Sequence, residues 1–186
     1  MKKIIAFEWL SLDGFIGGPN GETDWFVWDE EIEKCAKEFQ TTIDTMLFGR
    51  TTYEIMAGYW PTLASSTENQ MITDFMNDTN KIVFSKTLEK VEWKNSILVR
   101  EIIPEEIKKI KHQTGRNIII YGSGSIVSQL MKLDLIDEYQ LMINPVVLGS
   151  GKPLFQNVKE KSKLKLLNTK TFTSGNVLLT FQADKK

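Results

Sequence analysis

Three short stretches of this chain place phosphate-binding chemistry directly after apolar, β-type runs. In the first, Ile118-Ile119-Ile120 gives way to Tyr121-Gly122-Ser123-Gly124-Ser125 and then to an amphipathic helical pattern reaching Met131. Gly122 and Gly124 permit a tight turn and close backbone approach, while Ser123 and Ser125 can cap the helix. Unpaired N–H groups at such a helix start, at the positive end of its dipole, face any bound anion. The stretch therefore predicts a pyrophosphate seat. The full Gly-x-Gly-x-x-Gly fingerprint is absent, with Val127 at the third position, and Gly-x-Gly also opens helices that bind nothing. The second stretch, Leu47 to Glu54, sets Gly49, Arg50, Thr51 and Thr52 between a strand and a helix, and the third sets Ser85 and Lys86 after another strand. Ligands of α/β sheets sit outside the carboxyl ends of strands, and a coenzyme long enough to touch all three ends is a dinucleotide. Taken singly, Arg50 and Lys86 read as solvated surface charges.

Other reactive side chains have plainer readings. Ile32, Cys35, Ala36 and Phe39 recur at helical spacing, which puts the thiol on a buried face as core filler. His112 ends a helix opened by Pro104, Glu105 and Glu106, where a cation suits the dipole. One Cys and one His build neither an internal disulfide nor a common zinc site, and a Ser-His-Asp triad is not expected. Trp25, Phe26, Trp28, Tyr59 and Trp60 could stack on a planar heterocycle or form core and lid.

The elements that must position these groups alternate. Periodicity predicts strands over 3–10, 44–48, 81–85, 96–99, 117–121 and 138–147, and helices over 29–40, 51–57, 68–77, 104–113 and 125–133. Alternation of this kind builds a mostly parallel sheet covered on both faces. Strands over 164–172 and 177–182 flank Thr173-Ser174-Gly175-Asn176, a hairpin signal, so the sheet should finish antiparallel. With 186 residues, 41% hydrophobic, the chain can bury one core, and a single domain over 1–186 is expected. A formal charge of −1 gives no electrostatic footprint for nucleic acid or an anionic membrane. No apolar run reaches the ~18–20 residues of a membrane span, and Glu8 interrupts the signal-like start, so a cytoplasmic location is expected.

Taken in order, Ser11-Leu12-Asp13-Gly14, Gly49-Arg50-Thr51-Thr52-Tyr53-Glu54, Ser85-Lys86, Tyr121 to Ser125 and Asn144 to Gly151 resemble the dihydrofolate-reductase-like family. Within it, they are most similar to the reductase domain of bacterial riboflavin-biosynthesis deaminase-reductases, over nearly the whole chain. The resemblance implies a three-layer α/β/α sandwich, with a mostly parallel central sheet of about eight strands ending in an antiparallel hairpin. It also implies NADPH as hydride donor and a homodimer. By it, Gly49, Arg50, Thr51 and Thr52, with Tyr121, Gly122, Ser123, Gly124 and Ser125, hold the cofactor phosphates. Ser85 and Lys86 lie near the adenosine 2′-phosphate, and Ile16 and Gly17 approach the nicotinamide. Asp13 then lies near the substrate as candidate proton donor, although Asp-Gly is also a common turn pair.

The activity so implied is hydride transfer to a C=N or C=O carbon of a small heterocyclic metabolite. The family's best-known substrate class is 5-amino-6-(5-phosphoribosylamino)uracil. Departures from the pattern keep a pterin or folate reductase, and a non-catalytic NADPH-binding sensor, as alternatives. There is no deaminase domain, residues 17–25 run differently, and Gly49 to Glu54 is closer to the folate enzymes. Those enzymes carry an acid on the first helix shortly after a Trp; here Trp25 precedes Asp29, Glu30 and Glu31 with no single match, and N-capping accounts for all three.

Overall fold

The computed structural model describes residues 1–62, 70–156, 158 and 160–184. Its main sheet is assembled around β1 (Ile4–Ser11), whose alternation separates two layers. Ile4, Ala6 and Leu10 pack into one cluster, while Ile5, Phe7 and Trp9 face the other side. Next come β2 (Phe15–Gly17), α1 (Glu30–Gln40), β3 (Ile43–Gly49), α2 (Arg50–Tyr59), α3 (Gln70–Asp78), β4 (Asn80–Phe84) and β5 (Ser96–Val99). The chain continues through α4 (Pro104–His112), β6 (Asn117–Ile120), α5 (Gly124–Lys132), β7 (Glu138–Asn144), β8 (Lys152–Pro153), β9 (Leu164–Thr171) and β10 (Val177–Ala183).

The eight-stranded sheet has the order β5-β4-β3-β6-β1-β7-β10-β9. Its first six strands are parallel, and β10 runs antiparallel to both β7 and β9. The chain first moves outward from β1 to β5, then returns through β6 to β7. Right-handed crossovers therefore put α1, α2 and α3 on one face and α4 and α5 on the other. Accordingly, Ile107, Ile126 and Leu130 pack on the Ile4 side, and Tyr53 and Met76 on the Ile5 side. This is the three-layer sandwich. The run Ile118-Ile119-Ile120 is buried on both faces, each such side chain stabilising the fold by roughly 1.5–3 kcal/mol.

Boundaries differ from the sequence pattern where local chemistry intervenes. The pattern extends the strand after Glu138 to Val147, but β7 stops at Asn144 because Pro145 has no N–H to donate. The helices expected from Thr51 and Ser125 begin one residue earlier, at Arg50 and Gly124. Of the helix expected over 68–77, Glu68 and Asn69 lie outside the described residues. β2 and β8 pair antiparallel in a small second sheet that has no sequence signature, since three and two residues are too short to show a period.

Candidate active site

Parallel strands deliver their carboxyl ends to one edge, and there Gly49, Phe84 and Ile120 bring three loops together. They wall a cleft of about 580 Å³ that gathers Gly49, Arg50, Thr51, Ser85, Lys86, Ser123 and Ser125. Two helices open into it side by side. Gly49 is the N-cap of α2 and Ser123 that of α5, and neither helix start has a side-chain cap hydrogen bond. In α5 the Ser123 carbonyl accepts from the Ile126 and Val127 N–H groups at 2.9 and 3.2 Å, so the Gly124 and Ser125 N–H groups are the ones such a start offers to an anion. The two starts abut: Gly49 N–H donates to the Gly122 carbonyl at 3.0 Å, and a Cβ added at Gly49 would lie 2.7 Å from Ser123 Oγ. Gly122 has φ +104°, a backbone that favours glycine, and a Cβ there would meet Thr52 Oγ1 at 3.2 Å. At Gly124 an added Cβ would meet Ile16 Cδ1 at 3.2 Å, which puts the β2 turn of Ile16 and Gly17 against the same loop.

The third wall is held from an unexpected side. Ser85 Oγ accepts from the Leu88 N–H at 3.0 Å and the Thr87 N–H at 3.2 Å, so it shapes its own turn. Arg100, which also lines the cleft, donates to the Ser85 carbonyl at 3.2 Å and to the Leu88 carbonyl. Sequence reasoning missed Arg100; its signal is a cation immediately after a strand parallel to β4. Lys86 pairs with Glu101 at 3.0 Å, but both side chains are largely exposed, at 74% and 63%. Such a pair exchanges readily with a phosphate.

A second cavity of about 470 Å³ lies on the α1–α3 side of the sheet, walled by Phe7, Trp9, Trp28, Phe39 and Trp60, with Tyr121 also in its lining. Trp9 stacks on Phe26 and Trp28 with ring centroids 5.1 and 5.7 Å away. Of the five expected aromatics, Trp28 and Trp60 line the cavity, Phe26 backs it, and Trp25 and Tyr59 do not line it. Cys35 is a free, half-buried thiol on its wall, and His112 sits at an exposed helix end as expected. The loop bearing Val27 is tied down by two fully buried amides: Asn144 Oδ1 accepts from the Val27 N–H at 3.3 Å, and Asn176 Nδ2 donates to the Val27 carbonyl at 3.2 Å.

Two carboxyl groups near β1 have opposite environments. Asp13 is exposed and accepts from Ser11 Oγ at 2.6 Å, the Gly149 N–H at 2.7 Å and the Leu148 N–H at 3.2 Å. The Ser11 hydroxyl foremost, then the Gly149 and Leu148 amides, hold its carboxyl below the usual carboxylate range. An ionised group with three donors suits a clamp on the β1–β2 turn; as an acid it would have to give up those bonds. Glu8 is buried, its Oε1 has no partner, and burial pushes its pKa up to about 8. Its Oε2 would be 3.9 Å from a Cβ at Gly122, so Glu8 lies under the Gly122–Ser125 loop. The available signal was an acid on the inward face of an otherwise apolar strand. Among the described residues no cluster of His, Cys, Asp and Glu could hold a metal, and no helix is long and apolar enough to cross a membrane.

The chain matches the family model of the RibD C-terminal domain over residues 2–178. It is 37% identical over 180 residues to the uncharacterized protein YyaP of Bacillus subtilis (strain 168), covering 97% of this chain and 94% of that one. A candidate riboflavin biosynthesis protein from Shewanella sp. PV-4 superposes with a TM-score of 0.78 at 21% identity, covering 98% of this chain and 99% of that one. Dihydrofolate reductase from Enterococcus faecalis, solved with NADP(H), gives a TM-score of 0.65 at 17% identity, over 98% and 97% of the two chains. These two likenesses establish the dihydrofolate-reductase-like fold. A family model spanning residues 2–178, and a relative whose identity extends along almost all of both sequences, establish the lineage: the chain belongs to the RibD C-terminal domain family.

Proposed function

We propose that the protein is an NADPH-dependent reductase acting on a C=N or C=O bond of a small molecule. The observation that carries this reading is the pair of helix starts at Gly49 and Ser123, neither with a side-chain cap, opening side by side on a polar cleft. Thr52 and the Gly122–Ser125 loop would hold the pyrophosphate, with Arg50 and Lys86 toward the 2′-phosphate. Ile16 and Gly17 would border the nicotinamide, whose C4 supplies the hydride when the coenzyme is bound. Asp13 would fix that border by tying the β1–β2 turn to the Leu148–Gly149 amides, next to the substrate. The family model and a fold shared with an enzyme solved with NADP(H) support the reading. A homodimer and a cytoplasmic location belong to the same proposal, and a solution mass of twice 21.3 kDa checks the former.

Titration with NADPH, followed by quenching of tryptophan emission, tests the cofactor half. Loss of reduced-nicotinamide absorbance with carbonyl and imine compounds tests the reaction half. Saturable binding followed by substrate-dependent oxidation is expected; no binding of either NADPH or NADP would overturn the reading.

A further inference from the structure

Resting on the reductase reading, we propose that the aromatic cavity selects a flat substrate that carries a reducible carbonyl or imine and no phosphate. Phosphorylated and other anionic heterocycles are turned away.

The charge argument comes from what lines the cavity. Among the described residues it has no Asp, Glu, Lys, Arg or His; its polar groups come from Gln40, Gln140, Cys35 and Tyr121. A phosphate brought in would shed its water and find no cation, a loss of several kcal/mol that stacking, at about 0.5–1.5 kcal/mol per ring pair, does not offset. The cations Arg50, Lys86 and Arg100 all border the other cleft.

The two acids at the start of α1 that are held by hydrogen bonds do not line the cavity either. Asp29 caps the helix through the Ile32 N–H at 2.7 Å and also accepts from the Ser174 N–H at 3.2 Å. Glu31 accepts from the Thr173 N–H and hydroxyl at 2.8 and 2.7 Å. The face that α1 turns to the cavity is Ile32, Cys35, Ala36, Phe39 and Gln40.

In the reduction itself, a hydride from the reduced nicotinamide forms the new C–H bond as the π pair of the C=O or C=N bond moves to the heteroatom. The heteroatom takes a proton from water, leaving an alcohol or amine and oxidised coenzyme.

Isatin is a suitable probe, being neutral and flat with a ketone. Dissociation constants from tryptophan quenching, without coenzyme, should be at least about tenfold lower for isatin than for 5-amino-6-(5-phosphoribosylamino)uracil or dihydrofolate. Ala36→Arg should reverse the order in favour of the phosphorylated compound. Tighter wild-type binding of the phosphorylated uracil or of dihydrofolate would overturn the proposal even if the variant does not fold. If isatin binds but NADPH does not, the reductase reading fails and the cavity's selectivity stands; if NADPH binds and isatin does not, only the selectivity fails.

Discussion

A carboxyl group on the inward face of β1 gives up its water and receives no hydrogen bond at Oε1, and the consequence for Glu8 is measurable. Its pKa rises from 4.5 to about 8 in the folded chain, whereas the unfolded chain ionises it near the usual value. Below pH ~4.5 both states keep the proton. Between there and about pH 8 only the unfolded state releases it, so folding stability falls as pH rises, by roughly 3 kcal/mol at pH 7. Glu8→Gln should flatten this slope in urea unfolding at pH 5, 6.5 and 8, and exceed wild type in stability at pH 8. An unchanged slope would acquit Glu8. Lys81, lowered to about 8 by burial, titrates at the upper edge of that window and leaves its acid side unaffected. For the coenzyme, Arg50→Ala and Lys86→Ala should each weaken NADPH by about 10- to 100-fold and leave NADH nearly unchanged, with Lys86 at the low end because Glu101 already shares its charge. Equal losses for both coenzymes would remove the 2′-phosphate role. Asp13→Asn replaces one acceptor of the clamp with a donor that opposes a backbone N–H, and should lower stability by about 1–3 kcal/mol. If Asp13 only clamps, the pH profile of turnover keeps its shape; a fall of ~10²–10⁴ in turnover with unchanged NADPH affinity would make it the proton donor.

Two glycines of α2 separate the packing of the helix start from the stability of the helix. Gly49→Ala puts a methyl group 2.7 Å from Ser123 Oγ and 3.1 Å from Ile126 Cγ1, so α2 and α5 must part where their N–H groups converge. Circular dichroism should stay native while NADPH weakens by about tenfold or more. Gly58→Ala, with nothing within 4 Å, should leave binding alone and add roughly 0.5–1 kcal/mol of stability. Equal effects on binding would sever the helix starts from the site. Elements of this size were legible in the sequence: the Ile118-Ile119-Ile120 run, the α1 periodicity and the Thr173–Asn176 turn each fixed a strand, a helix or a hairpin through local chemistry. What local chemistry does not encode stayed hidden. Arg100 reaches Ser85 and Leu88 across a parallel pair, Asp29 and Glu31 are claimed by residues 174 and 173, and β2 pairs with β8 across more than 130 residues of chain.

At the scale of the molecule, the aromatic cavity depends on partners far apart in sequence. Asn176 and Asn144, both fully buried, hold the Val27 segment and with it the wall that carries Phe26 and Trp28. Asn176→Ala strips a donor from the Val27 carbonyl and from Asn144 Oδ1, and should lower stability by about 1–3 kcal/mol. Tryptophan emission should shift to the red as Trp28 loosens, and isatin quenching should weaken while NADPH binding is retained. Unshifted emission would show that the wall stands without the hairpin. Because Asn176 follows Val27 by 149 residues, translation delivers the Val27 segment well before its partner. A nascent chain therefore carries an unpinned wall of Trp and Phe rings until the β9–β10 hairpin emerges, and those rings present an adhesive surface to chaperones and to neighbouring chains meanwhile. A product cut short before Asn176 would lack the clasp on the wall that carries Phe26 and Trp28.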